Sequence, residues 1–401
     1  MDELKKNILM IIPNLGMGGA ERSFTKLVNW LGERYKITIV VFDSSFQNMY
    51  PVKSEIFILG EPSSNTFFGK ATNFIRRFKS LTKLKKRIDP IVTISFLEGA
   101  DYLNLITGRE KKIISIRGSK KYDPHIKGVK GWFRKKIMIP FFYKKADIIV
   151  AISKGVEFEI KNSYPSFEKK IKTIYNGFKL ELPVTSKAIN EEYFILTWAG
   201  RFGDEKGLDE LITVFTSCYR ADQSIRLLLL GDGYYREKIL KQLQDNEIKA
   251  IVSDKFSIDL FEDNAVVCCN PGTEFENYLA RGDLFILTSP SEGLGNVIIE
   301  ALQQRLPVVS TDCKWGPREV LEPSLHCLAS ISYPHYGEYG ILLPLFNNED
   351  AYKIWETTIL RLRSEKSLLV NYRQKSDKAC KRFDQDVIKK QWFEIIDEVI
   401  K

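Results

Sequence analysis

Short apolar runs with hardly a polar residue in them recur along this chain, at 8–12, 37–42, 56–59, 91–96, 113–116, 148–152 and 171–175. A strand that is apolar at successive positions has to be buried on both faces. Between several of these runs lie stretches with helical periodicity, such as 20–31 and 72–87. Strands of this kind alternating with helices predict a parallel sheet covered on both sides. The pattern breaks at 180–192, which is polar, lacks periodicity and includes Pro183. A second series then begins, with apolar runs at 193–199, 225–230, 284–288, 308–311 and 341–345. The expected fold class is α/β, as two doubly wound domains. A chain of 401 residues agrees, being too long for one ordinary core. We place the first domain at 1–182, the linker at 180–192 and the second domain at 190–383. The last stretch, 384–401, carries Ile388, Trp392, Ile395, Ile396 and Val399 at helical spacing. Ligands of doubly wound sheets bind at the carboxyl ends of the strands, so the expected site is the cleft between the domains.

Three glycine-bearing motifs fall at such strand ends. The first is Ser291-Glu292-Gly293-Leu294-Gly295-Asn296, followed by Val297 to Glu300. Its glycines allow a tight turn, and the N–H groups of a helix starting at Gly295 or Asn296 suit a phosphate. Glu300 shares a helix face with Asn296, so Glu292 and Glu300 can flank one polyhydroxylated ligand. The same residues also read as an ordinary strand–loop–helix joint with solvated acids. The second motif, Gly200 to Gly207, offers Arg201 and Lys206 as cations for a leaving diphosphate. Asp204 and Glu205 offer a plainer reading, as local ion pairs in a solvated turn. The third, Asn14 to Arg22 with Gly16, Gly18 and Gly19, is glycine-rich but lacks the dinucleotide-binding spacing.

Together these residues resemble the retaining glycosyltransferases of family 4, which have the GT-B fold of two Rossmann-like domains. Glu292 and Glu300 match that family's glutamate pair, Arg201 and Lys206 its diphosphate-binding cations, and Gly18 and Gly19 its N-terminal loop. Supporting matches are 146–153 with Tyr175-Asn176-Gly177, 277–290, and Gly316-Pro317-Arg318-Glu319 with Tyr339-Gly340. The resemblance covers essentially the whole chain. It implies a deep cleft and a final helix crossing back to the first domain. It implies Arg201, Lys206 and Glu292 in catalysis, with Glu292 holding the donor sugar and Glu300 the ribose. The backbone of Gly293, Leu294, Gly295 and Asn296 would hold sugar and phosphate, and 266–270 would lie beside the base. Gly-Gly-Ala-Glu-Arg and Glu-Gly-Leu-Gly-Asn look like transferases of UDP-N-acetylhexosamines, so the expected donor is a UDP-sugar. The acceptor implied is a polyprenyl-diphosphate-linked saccharide, as in glycan or surface-polysaccharide assembly. Where many family members carry a histidine, this chain has Arg117, which we expect near the donor. Of its three histidines, His125 reads as a surface residue on a loop, with a swing toward the cleft as the alternative, and His326 and His335 lie in an unusually long connection, 322–338.

Composition sets the remaining expectations. An apolar share of 44% and a charged share of 28% suit a soluble globular protein. Lys5 and Lys6 precede an apolar run too short for a signal peptide, and nothing approaches the ~20 apolar residues of a membrane span. The six cysteines lack zinc-site spacing and read as reduced thiols. No metal or other cofactor is expected. The one Asp-x-Asp, Asp384 to Asp386, suits a helix N-terminus. The net charge of +9 concentrates at 73–90 and 127–145. Phe74, Phe78, Leu81 and Leu84 recur at helical spacing in the first, and Trp132, Phe133, Ile137, Phe141, Phe142 and Tyr143 are interleaved with cations in the second. Such segments suit an anionic membrane surface, and they read also as solvated helix faces over a normal core. The expected location is the cytoplasm, peripheral on the inner face of the plasma membrane. Nucleic acid is not an expected partner, because no module for it is visible. Two rival readings remain: a catalytically silent glycan-binding module, and a sugar-nucleotide epimerase or hydrolase on the same fold.

Overall fold

The computed structural model describes residues 5–16, 18–42, 51–60, 67–122, 128–180 and 192–401. Most of the expected linker, and His125, lie outside the described residues. The chain divides into two compact units, Met1–Phe178 with Phe383–Lys401, and Lys179–Arg382.

The first unit is built on seven strands: β1 (Asn7–Ile11), β2 (Lys36–Val41), β3 (Glu55–Ile58), β4 (Val92–Phe96), β5 (Lys111–Ile116), β6 (Ile148–Ala151) and β7 (Ile171–Thr173). They pair in the order β3-β2-β1-β4-β5-β6-β7, parallel throughout. The chain winds one way from β1 and the other way from β4, so the order reverses between their carboxyl ends. That reversal is where doubly wound sheets take ligands. Ile8, Met10, Ile39, Ile94, Ile113 and Val150 are fully buried along these strands, as their apolar runs require.

The closing helix Gln385–Ile400 belongs to this unit and buries Ile388, Trp392, Ile395, Ile396 and Val399 in its core. Each contributes on the order of 1.5–3 kcal/mol when fully buried. The chain leaves and re-enters side by side, where the Phe178 N–H donates to Phe383 O at 2.8 Å and the Gln385 N–H to Phe178 O at 2.9 Å. Asp384 caps the helix by accepting from the Asp386 N–H at 2.7 Å.

The second unit holds β8 (Phe194–Ala199), β9 (Ile225–Leu230), β10 (Ala250–Ser253), β11 (Val266–Cys269), β12 (Leu284–Leu287), β13 (Val308–Thr311), β14 (His335–Tyr336) and β15 (Ile341–Leu343). Their order is β10-β11-β9-β8-β12-β13-β15-β14, and only β14 runs antiparallel to its neighbour. Here the winding reverses between β8 and β12. The two parallel sheets confirm the α/β, two-Rossmann architecture expected from the sequence. β10, β11 and β14 fall outside the expected runs: β10 and β14 are short edge strands with exposed positions, and β11, though buried, is only four residues long. No helix of the described residues is long and apolar enough to cross a membrane.

Candidate functional site

In the second unit the reversal point is framed by the two charged glycine motifs. One follows β8 and the other follows β12, so topology brings residues some ninety positions apart to one sheet edge. Gly207 has φ 66°, and a β-carbon there would come 2.2 Å from the Thr288 carbonyl oxygen. The two loops therefore touch backbone to backbone, and only glycine fits. The Thr288 hydroxyl donates to Lys206 O at 3.3 Å across the same seam.

That seam delivers Lys206 Nζ to Glu292 Oε1 at 2.7 Å. Burial pulls the Lys206 pKa down, but the Glu292 charge and hydrogen bond outweigh it, and the net shift is upward. Lys206 is thus a fixed cation. Arg201 instead projects outward, with a side chain 66% exposed and Nη2 2.5 Å from Glu205 Oε1. The local ion pair that the sequence offered as the plainer reading is present there. A surface pair of this kind contributes little and leaves the guanidinium able to swing onto a ligand.

Gly295, with φ 79°, makes the left-handed turn that starts the helix Asn296–Gln303. The first N–H groups of any helix lack intrahelical partners, and here they begin beside the Lys206–Glu292 pair. Leu294 is buried beneath the turn, and Glu300 is buried one turn into the helix. Glu292 is held through its backbone, its N–H donating to Lys314 O at 3.1 Å and its carbonyl accepting from the Trp315 N–H at 2.9 Å. The Ser291 hydroxyl adds a bond to Lys314 O at 2.7 Å. Sequence reasoning passed over Lys314 and Trp315, because these contacts are made by backbone and leave no residue-type signal. Of the segment expected beside the base, Val266–Cys269 is a buried strand and only Asn270, at its carboxyl end, is exposed.

In the first unit, Gly18 is extended and Gly19 opens the helix Gly19–Leu31 just after β1. Arg117 follows β5. Its guanidinium donates to Ser115 Oγ at 3.3 Å, donates to Asn176 Oδ1 and lies 4.9 Å above the Phe96 ring. Burial pulls its pKa down to about 9, against the opposing charge of Glu21. Asn176, noted in the sequence only as part of a supporting match, is thus a partner of Arg117. Phe96 in turn stacks on Trp392 of the closing helix at 6.3 Å. Next to Phe96, Leu97 has φ 71°, an uncommon value for a residue with a β-carbon. His326 accepts from the Leu328 N–H at 3.2 Å and His335 lies 3.5 Å from Glu322; both serve the long connection and not the β8–β12 edge.

One sheet edge therefore combines a fixed cation, a second, exposed cation, two carboxylates and a helix N-terminus. A diphosphate joined to a sugar presents the complementary set of charges and hydroxyls. Comparison with known proteins agrees. Residues 17–182 match the family model for glycosyltransferase family 4, and residues 193–335 match a model for glycosyl transferases group 1. The chain is 27% identical over 357 residues to an uncharacterized glycosyltransferase of Methanocaldococcus jannaschii, covering 85% of this chain and 82% of that one. It is 24% identical over 387 residues to the N-acetylgalactosamine-N,N'-diacetylbacillosaminyl-diphospho-undecaprenol 4-alpha-N-acetylgalactosaminyltransferase of Campylobacter jejuni, covering 94% and 95%. The Anabaena HepE crystal structure in complex with UDP and glucose superposes with a TM-score of 0.71 at 17% identity, covering 98% of this chain and all of that one. Spanning both units and all three glycine motifs, these matches make the chain a glycosyltransferase of the GT-B type, with a family 4 domain followed by a group 1 domain.

Proposed function

We propose that the protein transfers a sugar, an N-acetylhexosamine, from UDP to a saccharide carried on a polyprenyl diphosphate, with retention and without a metal. The observation that carries this reading is the Lys206–Glu292 pair, 2.7 Å apart at the reversal point of the second sheet. Lys206 and Arg201 neutralise the charge that grows on the diphosphate as the bond from the sugar C1 to the UDP oxygen breaks. Glu292, fixed by its pairing with Lys314 and Trp315, orients the donor sugar, and Glu300 accepts from the ribose hydroxyls. The acceptor hydroxyl attacks C1 from the face that UDP leaves, and its proton passes to a donor phosphate oxygen. Gly18 and Gly19 approach the distal phosphate, and Arg117 contributes a cation toward the donor.

The UDP in the Anabaena structure supports the choice of nucleotide. The diphospho-undecaprenol acceptor in the name of the Campylobacter relative supports the lipid carrier, and the alpha linkage in that name is what retention would give from an α-linked nucleotide sugar. Such an acceptor requires work at a membrane, on the cytoplasmic face where nucleotide sugars are made. The test is incubation with a panel of UDP-sugars and an undecaprenyl-diphosphate-linked saccharide, read by mass spectrometry. A saccharide longer by one residue supports the reading. Free sugar alone identifies a hydrolase, an epimerised nucleotide sugar identifies an epimerase, and saccharide binding without UDP release identifies a glycan-binding module.

A further inference from the structure

The two cationic, aromatic stretches of the first unit turn out to be different objects. In the long helix Phe67–Ile88, Leu81 and Leu84 are core residues, and Phe78 packs on the same cluster. Lys85 is buried against Glu110 at 2.6 Å, while Arg77 and Arg87 lie over the rings of Phe42 and Phe57. Most of that stripe is spoken for.

The segment 128–145 is not. It runs as the helix Gly128–Phe133, a π-helical turn Arg134–Met138 and the helix Ile139–Tyr143. One side is anchored: Arg134 Nε and Nη2 donate to Glu98 at 2.6 and 2.5 Å, and Phe142 packs on Tyr102 at 4.8 Å. The other side is bare. Of the sixteen large apolar side chains exposed among the described residues, five fall here: Val129 (84% exposed), Trp132 (58%), Phe133 (47%), Ile137 (44%) and Phe141 (50%). They recur three or four positions apart, so they form one stripe. The exposed cations Lys130, Lys136, Lys144 and Lys145 border it, and 127–146 contains no acid.

We propose that the segment 128–145 is a wedge that enters the headgroup region of an anionic bilayer, with this apolar stripe inward and the four lysines on lipid phosphates. The proposal rests on the lipid-linked acceptor for its purpose, but its test uses no glycosyl transfer. Trp and Phe beside Lys are the composition of an interfacial helix, and the lysine stems reach past the rings to the charged layer. Nucleic acid would satisfy the lysines and leave the stripe in water. A second copy would bring the same positive charge against itself.

The experiment is sedimentation of the full chain with phosphatidylglycerol–phosphatidylcholine vesicles at low salt. Wild type should sediment, and Lys130→Glu with Lys136→Glu, Lys144→Glu and Lys145→Glu should lower partition by at least 10²–10³-fold. Trp132→Ser with Phe133→Ser and Phe141→Ser should lower it by at least tenfold at unchanged Tm, since these side chains are already exposed. Phe74→Ser with Ile75→Ser, on the long helix, should leave it unchanged. Failure of wild type to sediment overturns the proposal. So does full binding by the Trp132/Phe133/Phe141 variant, which would mean adsorption without insertion, and so does a wild-type dimer without vesicles that this variant dissociates. Titration of UDP into the same preparations separates this outcome from a failure of the transferase reading.

Discussion

Lys206 and Glu300 carry the most weight of single residues, and they should fail in different ways. Glu300 is buried, and in the proposed role of accepting from the ribose its loss in Glu300→Ala should weaken UDP-sugar binding by roughly 10- to 150-fold, the worth of one hydrogen bond to a charged group; calorimetry reads this directly. Lys206→Ala should reduce kcat by roughly 10²–10³-fold, the scale of losing one donor to a developing anion, in a steady-state assay of UDP release. Asp101 belongs to no motif or spacing that singles it out. It is fully buried, with Ser95 Oγ donating at 2.7 Å and the Tyr143 hydroxyl at 3.3 Å. Burial pushes its carboxyl up to about 8, with Lys120 opposing and Glu98 reinforcing. An unfolded aspartate ionises near pH 4, so the stability Asp101 gives is complete below that value and is lost as pH rises through about 8. Asp101→Asn should flatten the fall in Tm between pH 5 and pH 8, measured by thermal melts across that range. An equal slope in the variant would assign the pH dependence elsewhere.

At the scale of elements, the sequence was most legible where burial is symmetrical. Strands covered on both faces are apolar at nearly every position, and 8–12, 113–116 and 225–230 announce themselves. The glycine motifs were legible too, since the tight turn at Gly295 and the loop contact at Gly207 demand that residue type. What stayed hidden was pairing over distance. Phe74, Phe78, Leu81 and Leu84 share a spacing that fits a core face and a membrane face equally, and only the fold shows Leu81 and Leu84 inside. Lys85 counts as one more surface cation until Glu110 is seen beside it. The same holds for Glu98, which accepts from Lys120 at 2.9 Å, Arg134 and Tyr102. Burial alone would raise its pKa, yet Lys120 and Arg134 bring it to about 2. Glu98→Gln removes the carboxylate charge that two largely buried cations share and should cost about 3–5 kcal/mol, seen as a shift of the urea midpoint.

For the whole molecule, the reversal points organise function. Each sheet winds outward in two directions from a central pair of strands, and in each unit the glycine-rich loops sit at that pair. The closing helix ties one of these points to the end of the chain, because Trp392 supports Phe96 and Phe96 supports Arg117. Trp392→Ala should therefore destabilise the first unit by about 3–5 kcal/mol and loosen Arg117 as well. In the proposed mechanism the edge between β8 and β12 takes a uridine diphosphate with protein cations alone. Calorimetric titration of UDP in EDTA tests it most directly, on wild type and on Lys206→Ala. Wild type should show saturable one-to-one binding, weakened at least tenfold by the substitution. Binding that needs Mg²⁺ or Mn²⁺, or that is indifferent to the loss of Lys206, would contradict it.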